Sequence, residues 1–316
     1  MEIITNLDQL NIEFKTALAI GKFDGIHMGH QKIIMALAAR KKEGLKTVIF
    51  TFDPSPAALF SGKPVPELTT KEEKRRYFEK MGVIDYLIEF PLTFESAAIE
   101  PEDFIKDILV DKLNVGFIAA GVDVSFGNKG KGDYRLLEEK GKVYGYESDI
   151  INKVEYSDGR EISSTYVRET IAQGDMKKVR ELLGTPYYIS GIIQHGKSLG
   201  HTIGVPTVNI IPEPVKLLPP NGVYYSYVVL EGKTYKGMTN IGFKPTVSNE
   251  KQMGVETYIY DFNEDIYGKF IEVELLCFRR PEMQFDGVES LTRQMQSDIE
   301  AGNKYFTEEE LYDKFM

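Results

Sequence analysis

The sequence predicts two domains of different class: an α/β domain with a doubly wound parallel sheet, then a small antiparallel β-barrel with a terminal helix. The chain has 316 residues, about the length of two average domains. Up to about residue 184 strand and helix patterns alternate, whereas later segments are short, rich in Val, Ile, Thr and Tyr, and separated by Gly, Pro and Asn. This change of pattern predicts domains at 1–184 and 185–316.

The first domain opens with a βαβ unit. A buried strand, "TALAIGKF", leads into an amphipathic helix, "HQKIIMALAARKKEG", and the chain returns as the strand "KTVIFTF". The alternation continues through "VIDYLIEF", "EDFIKDILVDKL" and "VGFIAAG", and two short helices follow, "SSTYVRETIAQG" and "DMKKVRELLG". Sheets of this kind bind ligands beyond the carboxyl ends of their strands, so we expect a site in those loops.

The second domain reads as a compact antiparallel barrel. Its strand candidates are "GVYYSYVVLEGKTYKGMTNIG", "GVETYIYDF" and "KFIEVELLCFRR", and the "LEGK" turn predicts a hairpin inside the first of them. A helix is predicted over "GVESLTRQMQSDIEAG". Closing such strands into a barrel protects their edges.

Composition excludes several classes of protein. No run of about 18 apolar residues exists, so no membrane span is expected. A net charge of −10 argues against nucleic-acid binding, which usually needs a basic face. A single cysteine, Cys277, rules out an internal disulfide framework, and the acidic start of the chain lacks a signal pattern. These observations favour a cytoplasmic protein and leave a homo-oligomer open.

Residues 191–198, "GIIQHGKS", match the phosphate-loop pattern G-x-x-x-x-G-K-[ST] at each fixed position. A true phosphate loop lies between a strand and a helix whose N-terminus holds the phosphates. The next residues, "LGHTIGVPTVNI", are rich in β-branched side chains and interrupted by Gly and Pro, so no helix is predicted. Two interpretations remain: a Gly-rich connection in the barrel, or a loop that binds phosphate with a different geometry.

A second motif, "GKFDGIHMGH" at 21–30, lies where the first strand meets the first helix. His27 and His30 are three residues apart at a helix start, so their rings share a face. Backbone amides there favour anions, and two imidazoles can donate hydrogen bonds to phosphate oxygens. A pair of exposed or capping histidines, or a metal-binding pair, are the alternatives.

With this motif the sequence resembles a known family. H-x-G-H is similar to the signature of nucleotidyltransferases, and the longer G-x-F-D-G-x-H-x-G-H resembles that of bacterial bifunctional riboflavin kinase/FAD synthetases. The similarity extends along nearly the whole chain. In the first half it covers "TFDPSP", "GVDVSFG" and "ISSTYVR"; in the second, "QHGKSLGHTIGVPTVNI", "GVYYS", "GMTNIGFKPT", "VETYIYDFNEDIYG" and "FDGVESLTRQMQSDI". It implies a Rossmann-like nucleotidyltransferase domain followed by a riboflavin kinase barrel.

The resemblance implies that the first domain joins FMN to the α-phosphate of Mg-ATP, giving FAD and pyrophosphate. His27, His30 and Arg168 would be catalytic, and Asp123 would lie near the nucleotide and its metal. Phe23 and Pro54 shape the pocket in this interpretation, although burial alone explains both equally well. The implied nucleotide-binding residues are Gly21, Phe23, Asp24, Gly25, Asp123, Ser163, Ser164 and Thr165.

In the second domain the resemblance implies phosphorylation of riboflavin by ATP. Glu256 matches the family's catalytic glutamate, which takes the proton of the hydroxyl; without the family, a surface glutamate is the simpler interpretation. Thr207 and Asn209 are two residues apart, so in an extended chain their oxygens point the same way and suit Mg²⁺. The implied nucleotide-binding residues are Gly196, Lys197, Ser198, Gly200 and His201.

The chain departs from the family pattern at a few positions. Val124 and Ser125 replace a commonly aromatic and an often basic residue, His201 stands where arginine is usual, and Val208 where alanine is usual. Losing a permanently charged arginine weakens a phosphate site or makes it pH-dependent. Two alternatives follow: an enzyme that keeps only FAD synthesis, or an inactive flavin-sensing or RNA-binding regulator.

Overall fold

A computed structural model describes residues 1–6, 12–195, 205–245 and 251–315. By internal contacts the chain divides into two compact units, Met1–Tyr166 and Val167–Met316. Each unit has its own sheet, and the two sheets belong to different classes. The predicted combination of a parallel and an antiparallel domain is therefore confirmed.

The first unit contains a six-stranded parallel sheet in the order β1-β4-β3-β2-β5-β6. Its strands are β1 (Glu2–Ile4), β2 (Thr16–Ile20), β3 (Lys46–Asp53), β4 (Tyr86–Pro91), β5 (Val115–Gly121) and β6 (Glu147–Ile151). From β2 the chain adds strands first on one side and then on the other. The reversal creates a crevice at the carboxyl end of β2, which is where sheets of this type bind ligands.

Helices connect these strands, and one more helix, α6, follows the last strand and extends beyond the end of the first unit. They are α1 (Met28–Lys42), α2 (Pro56–Ser61), α3 (Lys71–Met81), α4 (Pro101–Asp103) with its π-helical continuation Phe104–Lys112, α5 (Tyr134–Tyr144) and α6 (Ser164–Ala172), besides short 3₁₀ turns at Ser96–Ala98 and Asn128–Gly130. The predicted βαβ unit is present, with α1 between β2 and β3. The strands β1 and β6 and the helices α2, α3 and α5 were not predicted.

Two apolar clusters cover the two faces of the parallel sheet. In β2, Leu18 and Ile20 point into one cluster, and Ala17 and Ala19 point into the other. This follows from the alternation of side chains along a strand. Because both faces are buried, the strand reads as a continuous apolar run, which is typical of parallel sheets.

The second unit contains α7 (Met176–Leu183) and a six-stranded antiparallel sheet in the order β7-β12-β9-β10-β11-β8. Its strands are β7 (Tyr187–Ile192), β8 (Thr207–Ile210), β9 (Gly222–Leu230), β10 (Lys233–Pro245), β11 (Lys251–Ile259) and β12 (Phe270–Arg280). The sheet curls so that its two edge strands, β7 and β8, approach each other. Just beyond β7, the backbone amide of Gln194 donates a hydrogen bond to the backbone carbonyl of Asn209 at 2.8 Å. The predicted hairpin at "LEGK" joins β9 to β10 through Glu231 and Gly232, both with positive φ.

A chain of hydroxyl groups crosses the middle of the antiparallel sheet. Ser226 Oγ on β9 lies 2.8 Å from Thr239 Oγ1 on β10, which lies 2.9 Å from Thr257 Oγ1 on β11. All three side chains are buried. Gly237, opposite Ser226 in the ladder, leaves room for its hydroxyl, since a Cβ there would lie 2.8 Å from Ser226 Oγ. We name this series the hydroxyl ladder.

The terminal helix α8 (Val288–Phe315) is longer than predicted. The sequence pattern ends it at Gly302, yet the helix continues through that glycine. The Tyr260 hydroxyl lies against Gly302, where an added Cβ would be only 2.1 Å away. Gly302 therefore serves close packing of helix on sheet, next to the buried Phe306, rather than helix termination.

Candidate active sites

The loop between β2 and α1 has an unusual backbone. Phe23 and Ile26 have φ angles of 49° and 42°, and Gly25 between them has a φ of 88°. A β-branched residue such as Ile26 rarely adopts positive φ, so this conformation is strained and needs support from its surroundings. The loop ends at His27, which is the N-cap residue of α1.

Neighbouring segments supply that support. The Asp24 carboxylate accepts hydrogen bonds from the amides of Leu68 (2.8 Å) and Thr69 (3.2 Å). Thr69 Oγ1 in turn accepts the Gly25 amide at 3.1 Å. On the other side, Ser164 Oγ donates to the Asp24 carbonyl at 2.8 Å. The loop is thus braced by the residues just before α3 and by the start of α6.

This backbone brings the two predicted histidines together. The rings of His27 and His30 stack with centroids 3.8 Å apart and an interplanar angle of 22°. Both Nδ1 atoms are buried and have no hydrogen-bond partner among the described residues. On each ring, Nε2 is the other nitrogen that can form a hydrogen bond.

Burial sets the charge of both imidazoles. It lowers the pKa of His27 to about 4, although Asp123 and Asp24 pull in the opposite direction. Burial also lowers the pKa of His30 well below its ordinary value, and the nearby His27 and Lys74 lower it further. Both rings are therefore neutral near pH 7 and offer hydrogen bonds to a phosphate without adding a formal charge.

The other predicted residues of the first half differ in accessibility. Phe23 is fully buried and packs against His30, with centroids 5.1 Å apart, and Gly21 leaves room for the Phe23 ring. Asp123 is exposed, and its carboxylate lies 3.6 Å from Lys153 Nζ. Pro54 follows Asp53 through a cis peptide bond at the end of β3.

The Ser/Thr segment forms the start of α6. Ser163 Oγ accepts the Tyr166 amide at 3.2 Å, which satisfies a free donor of the first turn. Ser164 contacts the histidine loop as described above, whereas Thr165 is exposed. Arg168 lies on the same helix one turn after Ser164, and its side chain is half-buried.

Several residues of this region were missed by sequence reasoning. Gly29 lies under the His27 ring, since a Cβ there would approach Nδ1 to 3.2 Å.

A charged cluster lies at the ends of β3 and β4: Arg75 donates to both oxygens of buried Glu89, at 2.7 and 2.6 Å, and Lys71 bridges Glu89 and Asp53. The cluster could have been predicted from Glu89, an acidic residue inside an apolar strand, because a buried charge needs a partner.

The second site is built on three neighbouring strands. Glu256 on β11 lies directly opposite Asn209 on β8 and opposite Asn240 on β10. Directly paired residues share a face of a sheet, so the three side chains lie together. Thr207, two residues before Asn209, donates its hydroxyl hydrogen bond to the Glu256 carboxylate. The structure thus brings together Thr207, Asn209 and Glu256.

A cavity of about 280 Å³ lies beside this cluster. Its lining residues are Pro206, Thr207, Val208, Ile259, Phe262, Asn263, Glu264, Asp265, Ile266 and Tyr267. The ring of His195 stacks on Tyr267 with centroids 3.8 Å apart. Aromatic and apolar walls around a few polar groups are typical of small-molecule sites.

The part of the phosphate-loop match that the structure describes does not fit a P-loop. Its first glycine, Gly191, lies inside β7, an antiparallel strand paired with β12, and the described chain resumes at residue 205 and enters strand β8. The five predicted nucleotide-binding residues between these strands lie outside the described residues: Gly196, Lys197, Ser198, Gly200 and His201.

The donors present suit Mg²⁺ better than a zinc-type metal. Within the described ranges, no three side chains of His, Cys, Asp or Glu cluster closely enough to hold a metal ion. The hydroxyl of Thr207 and the amide oxygen of Asn209 are hard ligands beside the Glu256 carboxylate, and Mg²⁺ commonly uses few protein ligands together with substrate phosphates. At the first site, the carboxylate of Asp123, which was predicted to lie near the metal, is 3.6 Å from Lys153 Nζ.

Together, the parallel sheet with its histidine pair and the curled barrel with its Thr-Asn-Glu cluster define a nucleotidyltransferase domain and a flavokinase domain in one chain. Residues 10–166 match the family model described as FAD synthetase, and residues 183–306 match the model described as riboflavin kinase. The chain belongs to the bifunctional riboflavin kinase/FMN adenylyltransferase family.

Relatives of that description match along almost their whole length. The chain is 36% identical to a bifunctional riboflavin kinase/FMN adenylyltransferase of Listeria monocytogenes, covering 93% of both chains. It is 37% identical to the Escherichia coli K12 protein of the same name, covering 96% of both. A solved structure from Streptococcus pneumoniae, described as a macrolide-efflux protein, superposes with a TM-score of 0.82 at 29% identity, covering 95% of this chain and 98% of that one.

No helix in the part of the chain that the structure describes combines the length and apolar character that crossing a membrane requires.

Proposed function

We propose that the first unit transfers the adenylyl group of ATP to FMN, giving FAD and pyrophosphate, and that the second phosphorylates riboflavin to FMN. The observation that carries this proposal is the presence in one chain of two separate polar clusters: the stacked histidines at the carboxyl end of β2, and Glu256 beside Thr207 and Asn209. One cluster offers neutral hydrogen-bond donors to phosphates, and the other offers a proton acceptor beside metal-type oxygens.

In adenylyl transfer, an oxygen of the FMN phosphate attacks the α-phosphorus of ATP, and the bond from that phosphorus to the β-phosphate oxygen breaks. No covalent enzyme intermediate is required, so catalysis consists of positioning and stabilisation of charge. We assign His27 and His30 to the phosphates through their Nε2 edges, with Ser163, Thr165 and Arg168 at the start of α6 as further contacts.

In the kinase reaction, the riboflavin 5′-hydroxyl attacks the γ-phosphorus and ADP leaves. Glu256 accepts the proton of the hydroxyl, and the hydrogen bond from Thr207 orients its carboxylate. Thr207 and Asn209 would hold Mg²⁺ with the ATP phosphates; the ion supplies positive charge that draws electron density from the transferred group. The family residues Gly196, Lys197, Ser198, Gly200 and His201 would complete the nucleotide contacts.

The setting of this enzyme belongs to the same proposal. Its partners are small molecules: riboflavin, FMN and ATP with Mg²⁺. The net charge of −10 supports the absence of nucleic-acid binding, and the single cysteine supports a cytoplasmic location. The division of the chain into an adenylyltransferase domain at 1–184 and a kinase domain at 185–316 remains our proposal.

One assay tests the two activities. The protein is incubated with riboflavin and Mg-ATP, or with FMN and Mg-ATP, and the flavins are separated by chromatography. FAD from both substrates is the expected result. FAD from FMN alone would leave only the adenylyl transfer, with the kinase weakened at His201, and no product from either flavin would indicate an inactive regulator.

A further inference from the structure

Lys74 lies on the side of α3 that faces the histidine pair. Phe78, one turn further along the helix, packs edge-on against Phe23 at 5.9 Å, and Phe23 contacts His30 at 5.1 Å. Residues four apart share a helix face, so Lys74 points to the same region. Its positive charge acts on His30 directly and contributes to the lowered pKa of that imidazole.

The Lys74 ammonium has no ion pair or hydrogen bond with the described residues, unlike Lys71, Arg75 and Lys153. Lys71 and Arg75 are paired with Asp53 and Glu89. On the opposite side of the site, Lys153 is bound to Glu161 at 2.8 Å and lies near Asp123. Lys74 is thus a positive charge of this crevice that the protein has not neutralised by direct contact.

Nearby carboxylates do not take the place of a partner. Four of them lie close enough to act on Lys74 electrostatically: Glu67, Asp24, Glu89 and Asp53. Three are already engaged, since Glu89 and Asp53 are bound by Lys71 and Arg75, and Asp24 accepts the amides of the 68–69 segment. Burial of the lysine outweighs all four and lowers its pKa.

An unpaired ammonium that is partly removed from water destabilises the folded protein. A bound anion would remove that penalty. The two histidines are neutral, so they donate hydrogen bonds but do not balance the negative charge of a triphosphate. A lysine adjacent to them supplies the charge that they lack.

We propose that Lys74 is a phosphate-binding residue of the adenylyl-transfer site, contacting the phosphate oxygens of ATP and of the pyrophosphate product. This assignment rests on the proposed adenylyl transfer, and it adds a residue from α3 to a site otherwise made from the β2–α1 loop and α6.

The test compares Lys74→Met with the wild type. We expect the KM for ATP in FAD synthesis from supplied FMN to rise about tenfold or more, as for loss of a charge-assisted hydrogen bond. Inorganic pyrophosphate should raise the melting temperature of the wild-type protein and have a much weaker effect on the variant. Riboflavin phosphorylation should be unchanged. Lys74→Arg, which keeps the charge, should recover part of the affinity.

A purely structural role makes a different prediction. If Lys74 only stabilised the fold, Lys74→Met would lower the free energy of unfolding in the absence of ligand; we expect it to be unchanged or higher. Lys80→Met, on the exposed side of the same helix, is the matched control and should behave as wild type. Poor folding of Lys74→Met would contradict the proposal. The free energy of unfolding of Lys74→Gln is the second test of stability, and it should likewise not fall below that of the wild type.

Failure of this assignment can be distinguished from failure of the proposed function. If the wild type makes FAD but Lys74→Met retains its KM for ATP and its pyrophosphate protection, the Lys74 assignment is wrong and the function stands. If the wild type makes no FAD, the proposed function is wrong, and pyrophosphate protection still decides whether Lys74 binds phosphate.

Discussion

Glu256 is the residue on which the division of labour depends. Replacing it with glutamine keeps its size and removes the proton acceptor, so FMN formation should fall by about 10²- to 10⁴-fold. FAD synthesis from supplied FMN should stay within twofold of wild type. Chromatography of the flavin products, with riboflavin or FMN as substrate, measures both rates. Equal loss of the two reactions would contradict the assignment of one reaction to each unit.

The buried histidines predict how stability depends on pH. His27 has a pKa of about 4 in the folded protein and 6.5 as its ordinary value, so between these pH values only the unfolded chain binds the proton. The free energy of unfolding therefore falls as pH decreases from 6.5 towards 4, by about 3 kcal/mol for this residue, and is unaffected by it above pH 7.

Urea denaturation followed by circular dichroism, at several pH values, measures this dependence. The matched variant is His27→Asn, which keeps a polar residue able to cap α1 but does not titrate. Its free energy of unfolding should decrease less between pH 6.5 and pH 4.5 than that of the wild type. Parallel curves for the two proteins would show that His27 is not the group responsible.

At the scale of elements, the start of α3 affects both the stability of the protein and the first candidate site. Its capping box is complete: Thr70 Oγ1 accepts the Glu73 amide, and the Glu73 carboxylate accepts the Thr70 amide. Thr70→Ala should cost about 1 kcal/mol of stability. Because the preceding residue Thr69 braces the histidine loop, the variant should also slow FAD synthesis.

A second helix provides the control. Asp133 caps α5 by accepting the Leu136 amide at 3.1 Å, and α5 contributes no residue to the proposed site. Asp133→Ala should lose a similar amount of stability while leaving the rate of FAD synthesis from FMN unchanged at a temperature where both variants are folded. If both variants slow FAD synthesis equally, the effect reflects general destabilisation rather than the loop.

Elements with a strong apolar pattern could be predicted, and those without one could not. The strand β2 is buried on both sides and α1 contains an apolar run at 33–39, so both can be predicted from the sequence. The helix α3 buries only Glu73 and Phe78, and most of its side chains are charged, so it has no comparable apolar run. The start of α3 could have been predicted from its capping box, in which Thr70 is followed three residues later by Glu73.

Some features of the candidate sites could likewise be predicted from the local sequence, and others could not. His27 and His30, or Thr207 and Asn209, are close in sequence, and their spacing alone places them on one face. The hydrogen bond between Gly25 and Thr69 and the electrostatic effect of Lys74 on His30 each join residues more than forty positions apart, and no local pattern contains that information. The positive φ of Phe23 and Ile26 was equally invisible, because nothing in their side chains favours it.

At the scale of the whole molecule, each unit has its own sheet and its own cluster of candidate residues. FMN is the product of one proposed reaction and the substrate of the other. A mixture of Glu256→Gln and His30→Asn proteins, each defective in one step, should therefore convert riboflavin to FAD, because FMN made by one chain diffuses to the other. The rate should increase with total protein concentration.

Chromatography of timed samples measures this complementation, and each variant alone is the control. Riboflavin with His30→Asn alone should stop at FMN. If the mixture made no FAD although each variant retained its expected single activity, the two reactions would need both working sites in the same chain.

The hydroxyl ladder of Ser226, Thr239 and Thr257 has a consequence for strand alignment. A slip of one residue between strands turns apolar side chains outward and is costly, but a slip of two keeps every side chain on its own face. Such a slip would be tolerated by an apolar interior, whereas it would break the hydrogen bonds among three buried hydroxyls. The ladder thus fixes the register of β9, β10 and β11. It thereby keeps Glu256, the residue before Thr257, opposite Asn240 on β10.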